Sequence, residues 1–241
     1  MTRRLHEPRS PRPRAVIAHR RPDRGLARVC AIALSLASSG GAAADRDDAD
    51  AARVDWAAGR VTAGGTGIAD RHAPSPAIAL GTSRRTAAVA AKQRIAAKLE
   101  ALPLAAGGTV GSRLAEPGVK ARLAAAVDAA ITLAAEPETD GSWHVTLAVP
   151  LEAVRQALDQ PRAVPPDGDG GPPVIVVDGV AAAPAIGWTV GGSAAATVWT
   201  KQLPAWAKDA PRVVARSARS GAIDVARGAA TAATLFVILA K

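Results

Sequence analysis

The sequence predicts an α/β (α+β) protein: a small mixed sheet with packed helices, followed by a smaller strand-rich C-terminal unit. Three observations carry this. Apolar residues alternate from Val54 to Ala63, apolar residues recur every three or four positions from Ala88 to Leu102, and short β-branched runs lie between turn signals further on. The order strand, helix, helix, hairpin, helix is that of a layered α/β or α+β domain.

The elements follow from local chemistry. Val54, Trp56 and Ala58 alternate with Asp55 and Ala57, and Val61 and Ala63 continue past Gly59, which reads as one half-exposed strand. Gly64-Gly65-Thr66-Gly67 ends it. Pro74 and Pro76 then break the chain. Thr82 or Ser83 is placed to cap a helix whose Ala88, Ala91, Ile95, Leu99 and Leu102 share a face, and Pro103 stops it. Arg84, Arg85, Lys92, Arg94 and Lys98 take its other positions and read as a solvated surface rather than an anion site. A second helix spans about 119–130, with Val119, Leu123, Ala126 and Val127 on one face. Strands at 131–139 and 142–149 flank Asp140-Gly141, a strong hairpin turn. Pro150 opens a short helix over 151–158.

Residues 161–173, PRAVPPDGDGGPP, lack an apolar period and read as a linker. The unit beyond opens with Val174-Ile-Val-Val177 and closes with Leu235-Phe-Val-Ile-Leu239, both of buried-strand type. The organisation is therefore a leader at 1–44, a spacer at 45–53, an α/β domain at 54–160, the linker, and a C-terminal unit at 174–241.

Charge locates the leader. The chain of 241 residues carries a net charge of +9, but residues 1–44 hold nine arginines against Glu7 and Asp23, leaving +2 for residues 45–241. With so little excess charge on the rest, no nucleic-acid partner is expected. The basic stretch, the apolar run 29–37 and the small residues ending Ala42-Ala43-Ala44 have the grammar of a secretory signal cleaved between Ala44 and Asp45. The apolar run of about nine residues is too short to span a bilayer, and so is the run at 235–239. Cys30, the one cysteine, lies at the start of the apolar run and leaves with the leader, so no intrachain disulfide forms.

The candidate sites each have a plainer reading. Gly65-Thr66-Gly67 lacks the lysine and hydroxyl of a phosphate-binding loop, and Asp70 stands where a dinucleotide fingerprint needs its third glycine. The glycines therefore mark a bulge or tight bend. Asp178 ends a hydrophobic strand, but Val180 occupies the place of a second aspartate, so Asp178-Gly179 reads as a turn. Ser193 sits in a broken nucleophile elbow, Gly191-Gly192-Ser193-Ala194-Ala195, and an envelope hydrolase needs it in contact with His144. His72 and His144 are the only histidines beyond the leader, too few for an ordinary zinc site. No catalytic residue, metal or cofactor is expected. Trp188, Trp199 and Trp206 cluster in the C-terminal unit, either as core anchors or as a platform for a periplasmic ligand-binding module.

Four landmarks occur in a set order: Trp56 with Gly59, Ala63, Gly65 and Gly67; the alanine-spaced stretch TSRRTAAVAAKQRIAAKLEAL; DGSWHVTLAVPL at 140–151; and VIVVDGVAAAPAIGW from Val174. In this order, over residues 54–240, the chain resembles the LPP-twenty lipoprotein family. The resemblance implies an exported, non-enzymatic cell-envelope protein of mixed α/β fold, structural or assembly in role, of the outer-membrane or flagellum-associated kind. Its expected partners are envelope proteins and further copies of itself, with peripheral outer-membrane association. Two positions depart from the pattern: no cysteine stands in a lipid-attachment box, and Val180 replaces the arginine expected after the Val-Asp pair.

Overall fold

The computed structural model describes residues 50–159, 174–226, 233 and 235–241. These lie in one compact unit, Gly40–Lys241. The expected leader with Cys30, the expected cleavage point between Ala44 and Asp45, and the 161–173 segment read as a linker fall outside the described residues. The mixed α/β class holds: the described residues form three helices from Pro76 onward and two sheets of four and seven strands.

The first sheet contains β1 (Arg53–Asp55), β2 (Arg60–Gly67), β3 (Ile131–Pro137) and β4 (Trp143–Pro150), in the order β1-β2-β4-β3 and antiparallel throughout. The single strand expected from Val54 to Ala63 is a hairpin. Gly59, at φ +63, reverses the chain, and Ala58 N donates to the Asp55 carboxylate across the turn. Alternation across 54–63 hid the turn because Trp56 keeps an inward position within it.

Helix α1 (Pro76–Glu100) starts earlier than Thr82. Ser75 caps it by accepting from Ile78 N at 3.4 Å, and Pro76 takes the first turn, where its missing N–H costs nothing. Its buried stripe is Ser83, Ala87, Ala91, Ile95 and Leu99, one position from the expected Ala88. Helix α2 (Val119–Asp128) buries Val119, Leu123 and Val127, and helix α3 (Leu151–Leu158) follows β4 directly. The β3–β4 hairpin turns where expected, with Gly141 at φ +84 and the Asp140 carboxylate accepting from Ser142 N and Oγ.

The second sheet is mixed, in the order β7-β6-β10-β9-β5-β11-β8. Its strands are β5 (Val174–Val180), β6 (Thr189–Val190), β7 (Ser193–Ala194), β8 (Ala196–Thr200), β9 (Arg212–Arg219), β10 (Ala222–Val225) and β11 (Leu235–Ala240). The two runs read as buried strands, β5 and β11, are parallel neighbours, each flanked by a strand on both sides. One face packs Ile175, Val177, Trp188, Trp199, Phe236 and Ile238 into a core; the other packs Val176 and Val237 under Ala207. Among the described residues, backbone hydrogen bonds link the two sheets' units at two points. Trp199 N donates to Trp56 O, and Ile186 exchanges backbone hydrogen bonds with Pro103 and Ala105.

Candidate functional site

The glycines of β2 do not bulge. Arg60 to Gly67 pair residue for residue with Pro150 to Trp143, with no shift of register. The bend expected there is absent because the glycines meet a different demand. A methyl group on Gly65 would overlap the Ala87 carbonyl, and one on Gly67 would overlap the Ser83 carbonyl. The α1 backbone rests directly on the strand, and only glycine leaves room for it. Ser83, fully buried, donates its hydroxyl to Gly67 O at 2.5 Å, which satisfies the one polar group of that contact.

On the opposite side of β2, Gly64 makes room for a charged cluster. Asp50 is 4% exposed. Its Oδ1 accepts from His144 Nε2 at 2.6 Å, and its Oδ2 accepts from Arg94 Nη1 at 2.8 Å and Thr66 Oγ1 at 3.2 Å. A methyl on Gly64 would overlap Asp50 Oδ1 and stand 2.9 Å from His144 Nε2. Arg94 Nη1 also donates to Gly64 O at 2.7 Å. That carbonyl lies beyond the last β1 pair, Arg53 with Thr62, so the guanidinium completes the strand's hydrogen bonding. Burial alone pushes the Asp50 carboxyl up, but the hydrogen bonds from His144 and Arg94, with their charges, outweigh it and hold it below its ordinary value.

Four elements meet here: the segment entering β1, then β2, α1 and β4. The arrangement is a clasp. The carboxylate has all its strong donors supplied, and Thr66 bonds to Asp50 rather than standing as a nucleophile beside His144. Ser193, on β7 of the other sheet, is not brought to His144, whose Nε2 is committed to Asp50. Among the described residues no group of three or more His, Cys, Asp or Glu gathers as a metal site.

Sequence reading missed Asp50, which sits in the acidic spacer among Asp45, Asp47 and Asp48. Nothing in composition separates it from those neighbours; only the hole above Gly64 does. Arg94 belongs to the helix cations that the sequence reads as solvated, and three others of that group also have partners, Arg85 through a 3.4 Å bond to Thr82 Oγ1. Lys92 bonds the Asp128 carboxylate at 3.0 Å, and Arg84 lies 5.3 Å from the Trp143 ring centre. Asp178 is not in a turn after a strand. It lies within β5, where the ladder to β11 shifts register and Gly179 takes φ +77, and it faces Arg212 at 3.9 Å.

The three tryptophans divide. Trp188 and Trp199 pack in the core with ring centres 5.9 Å apart, while Trp206 is exposed. A cavity of about 390 Å³ lies where Leu104, Ser112 and Leu158 face Ile186. Its arginines are already matched: Arg113 bonds Glu116, and Arg155 bonds Glu152 and Asp159. Its charge is therefore spent internally.

The outer edge of β3 is the remaining feature. β3 pairs only with β4, and Ile131 and Leu133 on it are 55% and 45% exposed. The other sheet edges are shorter or covered: β1 has three residues, β7 two, and β8 meets Trp56 through Trp199.

No family model matches this chain, and no curated protein matches it.

Proposed function

We propose that the chain is an exported, non-enzymatic structural or assembly protein of the bacterial cell envelope, as its resemblance to the LPP-twenty lipoprotein family implies. The observation that carries the reading is β3, the longest open strand edge among the described residues, with Ile131 and Leu133 exposed on it. Such an edge is a template for strand addition unless charges or proline protect it. Glu136 and Pro137 protect its far end and the bulge between Thr132 and Ala134 interrupts its middle, which leaves the apolar start at Ile131 as the open part. The occupant that fits is β3 of a second copy. The Asp50 clasp supports the same reading, since it fastens the segment just beyond the Ala44–Asp45 cleavage point to α1 and β4.

The test has two halves. Cell fractionation of the full chain is expected to find a processed form beginning at Asp45 in the envelope fraction, unchanged by Cys30→Ala. A cytoplasmic form with residues 1–44 intact overturns the export half. Light scattering is expected to find self-association that Ile131→Lys with Leu133→Lys abolishes. A monomer at all concentrations, or association untouched by that pair, overturns the assembly half.

A further inference from the structure

Trp206 is held outside every core. It lies in a short 3-10 turn, Ala205–Ala207, and is 60% exposed, while the next residue, Ala207, is buried against Val176 and Val237. Ala207 N donates to Pro204 O and Ala210 N to Ala207 O, so the turn is closed on itself. It is thus clamped to the sheet by its small residue, with the large aromatic left outside.

The sheet face beneath continues the pattern. Val176 is paired with Arg212 and Asp178 with Val214, so Arg212 and Val214 stand on the face that carries Val176 and the Trp206 turn. Val214 is 64% exposed. Lys208 closes the Trp206 turn and Arg216 continues the alternation of Arg212 and Val214 along β9; both are exposed, as is Lys201 just beyond the end of β8. The acids are fewer and loosely held: Asp209 lies 3.8 Å from Lys208, and Asp178 lies 3.9 Å from Arg212. At the far end Arg219 and Asp224 offset each other in charge, and Asp224 accepts from Ser217. The face therefore combines an apolar tip, Trp206 and Val214, with three cations, Lys208, Arg212 and Arg216, against two acids, and Lys201 adds a further positive charge beyond the end of β8.

We propose that this face of the seven-stranded sheet docks on an anionic lipid surface. The indole ring, apolar in body with one polar N–H, suits the headgroup boundary. The lysine and arginine stems lie along the apolar tip while their charges reach the lipid phosphates. A protein groove would take the tryptophan but has no need of the excess of cations on the same face. The inference does not rest on export or on β3 pairing.

The test is co-sedimentation of Gly40–Lys241, the compact unit that carries both sheets and lacks the arginine-rich leader. The probes are phosphatidylcholine vesicles with and without phosphatidylglycerol. Binding is expected only with phosphatidylglycerol, weaker at high salt, and lost in Trp206→Ala. Lys208→Gln and Arg216→Gln are each expected to weaken it about five-fold. Thermal melts establish that the variants fold, and the two charge variants decide the matter should Trp206→Ala melt early. Absence of binding to the anionic vesicles, or equal binding by all variants, overturns the proposal. So does capture of single-stranded DNA through Trp206 by a protein that ignores vesicles. A monomer that sediments with anionic vesicles supports this proposal even where the assembly reading fails.

Discussion

The two sheets solve one packing problem in opposite ways. Both belong to an alanine-rich chain with one phenylalanine and no tyrosine. The first sheet closes the distance: Gly65 and Gly67 let the α1 backbone lie on β2, and Ala87 and Ala91 fill what little space remains. The second fills the distance, with Trp188, Trp199 and Phe236 occupying its core. Where side chains are small, backbones must approach until dispersion contacts are made; where they stay apart, aromatic volume must make up the difference. The first sheet should therefore resist added atoms, and the second should resist lost ones.

The largest effect tests the second sheet. Phe236 is fully buried on β11, between β5 and β8. Phe236→Ala is expected to cost about 3–5 kcal/mol in urea unfolding, the range for emptying a buried aromatic position. A cost below about 1 kcal/mol would mean that the sheet collapses around small side chains as the first one does, and the contrast would fail. The converse change falls on β2. Gly67 has no left-handed backbone to lose, so Gly67→Ala acts through sterics alone. Its methyl would overlap Ser83 O and stand 2.7 Å from Ala87 N, both backbone atoms that move only with the helix. The expected cost is about 1–3 kcal/mol, with hydrogen exchange accelerated along α1. An unchanged midpoint would show that α1 is not seated on the strand.

How much of this is legible in the sequence follows from the same contrast. Periodicity located α2, α3 and the 131–150 hairpin within a residue or two, because Leu123 and Val127, or Val145, Leu147 and Val149, declare one face by size. The glycines of β2 carry no such signal. A glycine that bends a strand and one that admits a helix are the same residue, and only the partner's position separates them. The start of α1 is hidden for a related reason. Two prolines read as a break, although a proline after Ser75 is also how a helix begins. The candidate site was least legible of all. Asp50 lies 44 residues from Arg94 and 94 from His144, and no local pattern links them.

Asp50 sharpens the comparison at its smallest scale, since a charged clasp serves the first sheet and none is described in the second sheet's core. Its carboxyl is held below the ordinary value of 3.8 when folded, so its contribution to stability is complete above that value. The contribution is lost as pH falls through the lower, folded value, because protonation removes the charge that Arg94 and His144 hold. Across β3, Glu136 faces His144, but it is exposed and stays in both chains to be compared. The same holds for Glu116, whose carboxyl the Arg113 hydrogen bond lowers, with the nearby Arg113 and Arg122 charges adding to this. Asp50→Asn is therefore expected to destabilise the protein by about 1–3 kcal/mol at neutral pH, the usual cost of weakening hydrogen bonds to a buried charge. The gap between the two chains should narrow on acidification below pH 3.8, as the wild type loses the same charge. Urea midpoints measured at steps from neutral to acid check this. A gap that stays constant to the acid limit would mean that Asp50 holds its place by shape and hydrogen bonding alone.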